Sequence, residues 1–330
     1  MEENSRLRNR RKKKSKKKWY VITPILIILV AVLLYVGNLA LKAMNVTNEA
    51  HQELTRGEKS EKRVKPVYPG KDNFSVLFIG VDERSGETNS RSDVLLLATF
   101  NKNDHTVKLL SIPRDSRVEI PGYKPQKINN AHYFGGADLA VETVEELLDI
   151  PVDYYVKLNF NAFMDIVDAL DGVTVDVPFT FTEKNSKNKV ITLYEGRRTL
   201  DGEEALAYVR MRKQDPRGDF GRNDRQKEVV AAIIKKAGTL SSITKYGDVL
   251  ESLDDNLATN LTFQNIVALH PYAKSISDIE HLKLSGEDLY LDSVYYYSID
   301  EDSIMENSEI LKEHLEISTT DTALDFELEG

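Results

Sequence analysis

FSVLFIG (Phe74–Gly80), DVLLLATF (Asp93–Phe100) and TVKLLSI (Thr106–Ile112) are three nearly continuous apolar runs of strand length. A strand with one wet face alternates apolar and polar residues, so runs like these predict strands buried on both faces. Downstream the period changes. A helical pattern covers Ala137 to Leu148, a strand Val152 to Leu158, a second helix Ala162 to Leu170, and a strand Val173 to Val177. Strands alternating with helices indicate an α/β layered domain. Phe179 to Thr199 is polar and rich in Lys and Asn, as an exposed hairpin would be. Helices are expected near Thr262–Ala273 and Glu301–Glu313, and strands near Ile279–Leu284 and Val294–Ile299.

Upstream of this domain the composition shifts twice. Residues 1–18 hold ten Lys and Arg against Glu2 and Glu3, and 19–41, from Trp19 to Leu41, hold no charge. Twenty-three residues at about 1.5 Å each span a bilayer core of roughly 30 Å, so 19–41 reads as one transmembrane helix. The basic flank places the N-terminus in the cytoplasm and the remainder outside the cell membrane. The competing reading, a cleaved signal peptide, suits neither the length of the apolar run nor its flanks. Residues 42–72 read as an extracellular stalk, 73–318 as the extracellular domain, and 319–330 as an acidic tail.

The whole chain carries 44 basic and 53 acidic residues, a net −9; without residues 1–18 it holds 34 against 51, a net −17. So acidic a domain repels a nucleic-acid backbone, and no nucleic-acid partner is expected. No cysteine is present, which excludes disulfides, thiolate zinc sites and thiol nucleophiles, and six scattered histidines show no metal-ligand spacing. Against this background Tyr208 to Gln226, YVRMRKQDPRGDFGRNDRQ, holds five arginines, one lysine and three aspartates. Arginine forks match phosphate or carboxylate oxygens two at a time, and five near one turn repel each other unless an anion sits among them. If Tyr208 to Arg212 is extended, Arg210 and Arg212 share a side. A helix from Arg222 to Ala237, with Val229, Val230, Ile233 and Ile234 on its apolar face, turns Arg222 and Gln226 inward at its N-terminus, where anions are favoured. Arg217 and Arg225 read as the solvated part of the stretch. The plainer alternative is a solvated turn with local salt bridges to Asp215, Asp219 and Asp224.

Strand ends supply the remaining polar groups: Gly80-Val81-Asp82-Glu83-Arg84, Arg91-Ser92-Asp93 and Pro113-Arg114-Asp115. Ends of strands in an α/β sheet are common ligand sites. Asp82 and Asp93 are hard oxygen donors suited to Mg2+ together with phosphate oxygens, or equally to salt bridges with Arg84, Arg91 or Arg114. Carboxylates for a divalent cation plus arginines from distant segments make up a phosphoryl-transfer site. His132 reads as a structural histidine, with the lining of a pocket as its alternative.

These blocks, with Lys127-Ile128-Asn129, Gly135-Gly136, Leu200-Asp201-Gly202, Tyr208 to Arg212 and Gly218 to Gln226, resemble the LytR-CpsA-Psr family. The order of basic head, span and stalk is similar to its wall-teichoic-acid ligases from Gram-positive bacteria. The resemblance implies a three-layer α/β/α sandwich with a central mixed sheet, whose greasy cavity between sheet and helices takes a polyprenyl chain. It implies an Mg2+-dependent (or Mn2+-dependent) phosphotransferase that moves an anionic glycopolymer, wall teichoic acid, from a polyprenyl-pyrophosphate carrier to peptidoglycan and releases polyprenyl phosphate. By the family pattern Asp82 and Asp93 hold the metal. Arg84, Arg91, Arg114, Arg210, Arg212, Arg222 and Gln226 contact the pyrophosphate, Arg114 and Arg212 also serving catalysis, and Asp219 is a base or a partner of the contacting groups. A lipid-pyrophosphate glycan pyrophosphatase and a non-catalytic polyprenyl-phosphate-binding regulator are the alternative readings, because each needs the same anion site.

Overall fold

The computed structural model describes residues 51–82, 90–237, 256–268 and 279–317. The expected transmembrane helix at 19–41, the basic head, Arg84 and the acidic tail lie outside them. Among the described residues no helix is long and apolar enough to cross a membrane.

In chain order the elements are β1 (Phe74–Val81), β2 (Ser92–Asn101), β3 (Thr106–Ser111), β4 (Arg117–Ile120), β5 (Tyr123–Lys127), α1 (Asn129–Leu148), β6 (Tyr154–Asn159), α2 (Phe160–Ala169) and β7 (Val173–Val177). There follow β8 (Phe181–Lys184), β9 (Val190–Leu193), β10 (Gly196–Leu200), α3 (Gly202–Arg210), α4 (Asp219–Ala237), β11 (Leu257–Thr259), α5 (Phe263–Ala268), β12 (Ile279–Lys283), β13 (Gly286–Leu291), β14 (Val294–Ile299) and α6 (Glu301–Leu315).

The three apolar runs form the centre of a six-stranded mixed sheet, ordered β11-β6-β1-β2-β3-β12. β1–β2 and β2–β3 are antiparallel, whereas β1–β6 and β3–β12 are parallel. Period-two alternation sorts the side chains. Leu77, Ile79, Leu97 and Leu110 join a core with Val141, Val144 and Leu148 of α1 and Leu311 of α6. Val76, Ala98, Leu109 and Tyr154 face the other way and pack with Val67 and Leu261. On that second face α2 meets β6 through Ala162, Ile166 and Leu158, and a separate core joins β7, α3 and α4. Helices thus cover both faces of a mixed sheet, which explains why the sheet strands read as continuously apolar.

Two local rules shape the helices that carry the site. Gly136, at φ +63°, breaks α1 after its first turns, which is why the apolar period begins only at Ala137. Asp201 and Glu204 form a reciprocal capping box that starts α3. That cap corrects the sequence reading of Tyr208 to Arg212: Tyr208, Val209 and Arg210 are the last turn of α3, and the chain becomes extended only at Met211 (φ −57°, ψ 130°). Strand alternation therefore does not relate Arg210 to Arg212.

Residues 51–72, read from composition as a stalk, are strapped to the domain. Leu54 and Val67 are buried, and the Arg63 guanidinium donates to both oxygens of Asp153. Glu145 of α1 accepts from Ser60 Oγ (2.5 Å) and Val152 N (2.7 Å) and pairs with Arg56. Polar partners hidden inside the domain are invisible to a composition argument. Removing one partner of a buried ion pair costs about 3–5 kcal/mol. Glu145→Ala is therefore expected to lower unfolding stability by about that amount in denaturant titration and to expose the 51–72 segment to limited proteolysis; an unchanged midpoint would show the strap to be passive.

Candidate functional site

The arginine stretch folds as helix, turn, helix around one of its own arginines. Arg225, only 2% exposed, donates from Nε to the carbonyl of Tyr208 (2.9 Å), from Nη2 to the carbonyl of Met211, and from Nη1 to Asp215. One guanidinium thereby ties together the end of α3, the turn and the start of α4. Burial alone would raise the Asp215 carboxyl; the Arg217 backbone N–H and the Arg225 guanidinium outweigh it and hold Asp215 below the ordinary carboxylate range. Gly221 lies so close that a Cβ there would meet Asp215 Oδ2 at 1.8 Å, which explains the glycine. The solvated reading of Arg225 is thus incorrect: its three acceptors are carbonyls and a carboxylate that local charge counting does not reveal. Arg217 is exposed and pairs with Asp224 at 2.7 Å.

This knot orients the rest of the stretch. Arg222 and Gln226, in the first two turns of α4, are 8% and 7% exposed, and Gln226 Nε2 approaches the Val209 carbonyl at 3.5 Å. Arg210 and Arg212 are exposed, and the Arg210 guanidinium lies 5.1 Å from the centre of the Phe160 ring. Asp219 opens α4.

The sheet contributes from its strand ends. A register shift between Gly80 and Val81 brings Val81 opposite Ser92, so Asp82 and Asp93 come to the same end of adjacent strands. Asp82 is exposed, and Asp93 accepts from Arg114 Nη1 at 2.5 Å. Arg91 is exposed at the entry to β2, and the preceding Ser90 carbonyl is 2.7 Å from Nδ1 of the buried His132, a structural role for that histidine. The loop after β3 is locked from behind: Tyr297 N donates to the Asp115 carbonyl (2.9 Å) and Lys127 Nζ pairs with the Asp115 carboxylate (2.7 Å).

Loop and turn meet in one cavity. Arg114 and Asp115 from the strand end and Phe220, Arg222 and Asn223 from the start of α4 line it, with Tyr295 and Tyr297 of β14 as its roof. Arg114 and Arg222 are brought together there, 108 residues apart in sequence; Asp82, Arg91, Arg210 and Arg212 lie outside its lining. Two guanidiniums lining one cavity beside a helix N-terminus, the Arg114 fork also paired with Asp93 and Asp115, suit the oxygens of a phosphate group. The aromatic members were missed in the sequence, although the Phe220-Gly221 pair in the turn is a signal. As a metal site, two neighbouring carboxylates suit a hard cation that keeps water and phosphate oxygens as its other ligands. Among the described residues no group of three or more acidic or histidine side chains converges.

Arg225→Lys should not rescue Arg225→Ala, since one ammonium cannot span a carboxylate and two carbonyls set apart by the turn. Both variants are expected to lose about 3–5 kcal/mol in denaturant titration; full stability of the Lys variant would show that charge alone suffices.

Comparison with known proteins gives the site its relatives. Residues 38–313 match the family described as the LytR_cpsA_psr family. The polyisoprenyl-teichoic acid–peptidoglycan teichoic acid transferase TagT of Bacillus subtilis (strain 168) is 46% identical over 283 residues, 83% of this chain and 87% of its own length. TagU of the same strain, named as the same kind of transferase, is 40% identical over 301 residues, 87% of this chain and 96% of its own. Among solved structures, one described as TagT bound to LIIa-WTA has a TM-score of 0.70 at 43% identity, covering 81% of this chain and 100% of the other. Another, described as the LytR-CPS2A-psr family protein YwtF (TagT) with bound octaprenyl pyrophosphate lipid, scores 0.66 at 40% identity with the same coverage. With residues 38–313 matched by the family model and relatives 46% and 40% identical over most of its length, the chain belongs to the LytR_cpsA_psr family.

Proposed function

We propose that this protein is a membrane-anchored phosphotransferase that transfers wall teichoic acid from a polyprenyl-pyrophosphate carrier to peptidoglycan. The observation that carries the proposal is the convergence of Arg114 and Arg222 on one cavity. Relatives of 46% and 40% identity named as teichoic acid transferases support it. The span at 19–41 would hold the catalytic domain at the outer membrane face, where the lipid carrier also resides. Confinement to one surface raises the effective concentration of the donor.

In the reaction a hydroxyl oxygen of the wall glycan forms a bond to the phosphorus that bears the polymer. The bond from that phosphorus to the bridging oxygen breaks, and the electron pair leaves with polyprenyl phosphate. The hydroxyl proton passes to a base, for which Asp219 is our candidate. Arg114 and Arg222 would neutralise the oxygens on which charge accumulates; Arg91, Arg210, Arg212 and Gln226, outside the cavity lining, and Arg84 are the further pyrophosphate contacts that the family resemblance implies. Such preorganised donors supply most of the rate in phosphoryl transfer. Asp82 and Asp93 would hold Mg2+, or Mn2+, which when bound neutralises pyrophosphate charge. The carrier's apolar chain has a candidate berth on the sheet face under α2, where Phe78, Val156, Leu158 and Ile166 stay only half-buried.

Arg114→Ala and Arg222→Ala are expected to cut coupling of a lipid-pyrophosphate glycan to peptidoglycan by roughly 10²–10³-fold, measured with full-length protein in detergent. Coupling unchanged in both variants would remove the cavity from the mechanism, and free polymer without coupled product from the wild type would identify a hydrolase. Asp82→Ala, at an exposed position, should raise the Mg2+ concentration needed for half-maximal rate by about tenfold; an unshifted Mg2+ titration excludes Asp82 as a ligand.

A further inference from the structure

Phe220, 39% exposed, separates two cavities. In the first its ring meets Tyr297 edge-on (5.9 Å) beside Arg114 and Arg222; in the second the Lys283 ammonium lies 4.6 Å from its centre. The second cavity, about 360 Å³, is lined by Ser111, Arg217, Asp224, Lys227 and Lys283, and shares Pro113, Phe220 and Asn223 with the first. Its lining is built by both layers. Ser111 and Lys283 are register partners in the parallel pair β3–β12, and the other charges come from the turn and α4.

The second cavity is opposite in sign to the net charge of the chain. Three cations face one carboxylate, a local net of +2 in a protein of net −9. Asp224 is shared by Arg217 (2.7 Å) and Lys227 (3.1 Å), and Lys227 is 7% exposed. Positive potential reaches further: burial and then Lys227 push the nearby His281 imidazole below its ordinary range. A 7%-exposed ammonium sharing its counter-ion with an arginine leaves positive potential for an arriving anion.

We propose that this second cavity is an anion subsite for a phosphodiester of the transferred polymer, occupied while Arg114 and Arg222 hold the pyrophosphate. The proposal rests on the transferase reading above and adds to it a contact to the polymer itself. Chemistry favours a diester. Each diester carries one charge, which lysine ammoniums meet as point charges, whereas the pyrophosphate calls for arginine forks. The cavity volume exceeds a lone ion and takes a phosphate with its flanking carbons. The wall of Pro113, Phe220 and Asn223 shared with the first cavity makes the two cavities neighbours, so that one donor molecule can reach both. It also accounts for how an acidic protein accepts a polyanion: the local +2 offsets the repulsion.

The test uses full-length protein in detergent and two synthetic donors with the same polyprenyl pyrophosphate and sugars, one bearing polyol-phosphate units and one without them. The double variant Lys227→Gln, Lys283→Gln is expected to raise KM for the phosphate-bearing donor by about tenfold, with kcat and the phosphate-free donor changed by less than about twofold. An equal change for both donors, or none for either, overturns the subsite. Calorimetry with a lipid-free glycerol-phosphate hexamer is independent of transfer. Binding to the wild type that the double variant loses supports the proposal, and equal binding to both overturns it. If the variant loses affinity for a wall stem peptide instead of the hexamer, the site belongs to the acceptor and the proposal falls. A wild type that couples neither donor sinks the transferase reading, while the hexamer measurement still decides whether the subsite exists.

Discussion

The site depends on one buried pair, Arg225 with Asp215, whose side chains are 2% and 1% exposed. Five like charges within nineteen residues would drive a free chain apart. Arg225 is withdrawn from that repulsion by a carboxylate and two backbone carbonyls, and in being withdrawn it folds the segment back on itself. Of the remaining arginines, Arg210, Arg212 and Arg217 are left exposed, and Arg222 is held buried at the start of α4. An inward guanidinium can therefore serve the fold so that its neighbours can serve the ligand, and Gly221 is the space this arrangement needs.

The turn reaches the sheet through aromatic contacts. Phe220 meets Tyr297 edge-on, and Tyr297 in turn ties its backbone to Asp115, next to Arg114. Arg114 and Arg222 are consequently set by two frames that touch through a ring and a backbone hydrogen bond. Preorganisation of this kind matters where charge stabilisation supplies the rate, because donors already in position need no rearrangement as charge develops. The same ring lines the neighbouring cationic cavity, so one aromatic side chain borders both of the proposed anion sites.

Much of this was legible in the sequence. The continuous apolar runs gave the central strands because a doubly covered sheet hides both of its faces, and Arg222 and Gln226 were inward by helical period. What was not legible is tertiary by nature. The fate of Arg225 depends on carbonyls from Tyr208 and Met211, and the helical state of Tyr208 to Arg210 on a cap at Asp201, seven residues upstream. The 51–72 strap reads as a polar linker because its partners Glu145 and Asp153 lie some 90 residues on. β14 was legible as a strand at Val294–Ile299, but its place against the loop after β3, where Tyr295 and Tyr297 line the site, is a tertiary contact that strand patterning does not show.

The central claim is that the bond broken is phosphorus to bridging oxygen. Mass spectrometry of the lipid released when full-length protein couples a lipid-pyrophosphate glycan to peptidoglycan tests it most directly. The account predicts polyprenyl monophosphate in one-to-one ratio with coupled polymer. Polyprenyl pyrophosphate as the released lipid would mean that the sugar-to-phosphate bond had broken instead, and would contradict it.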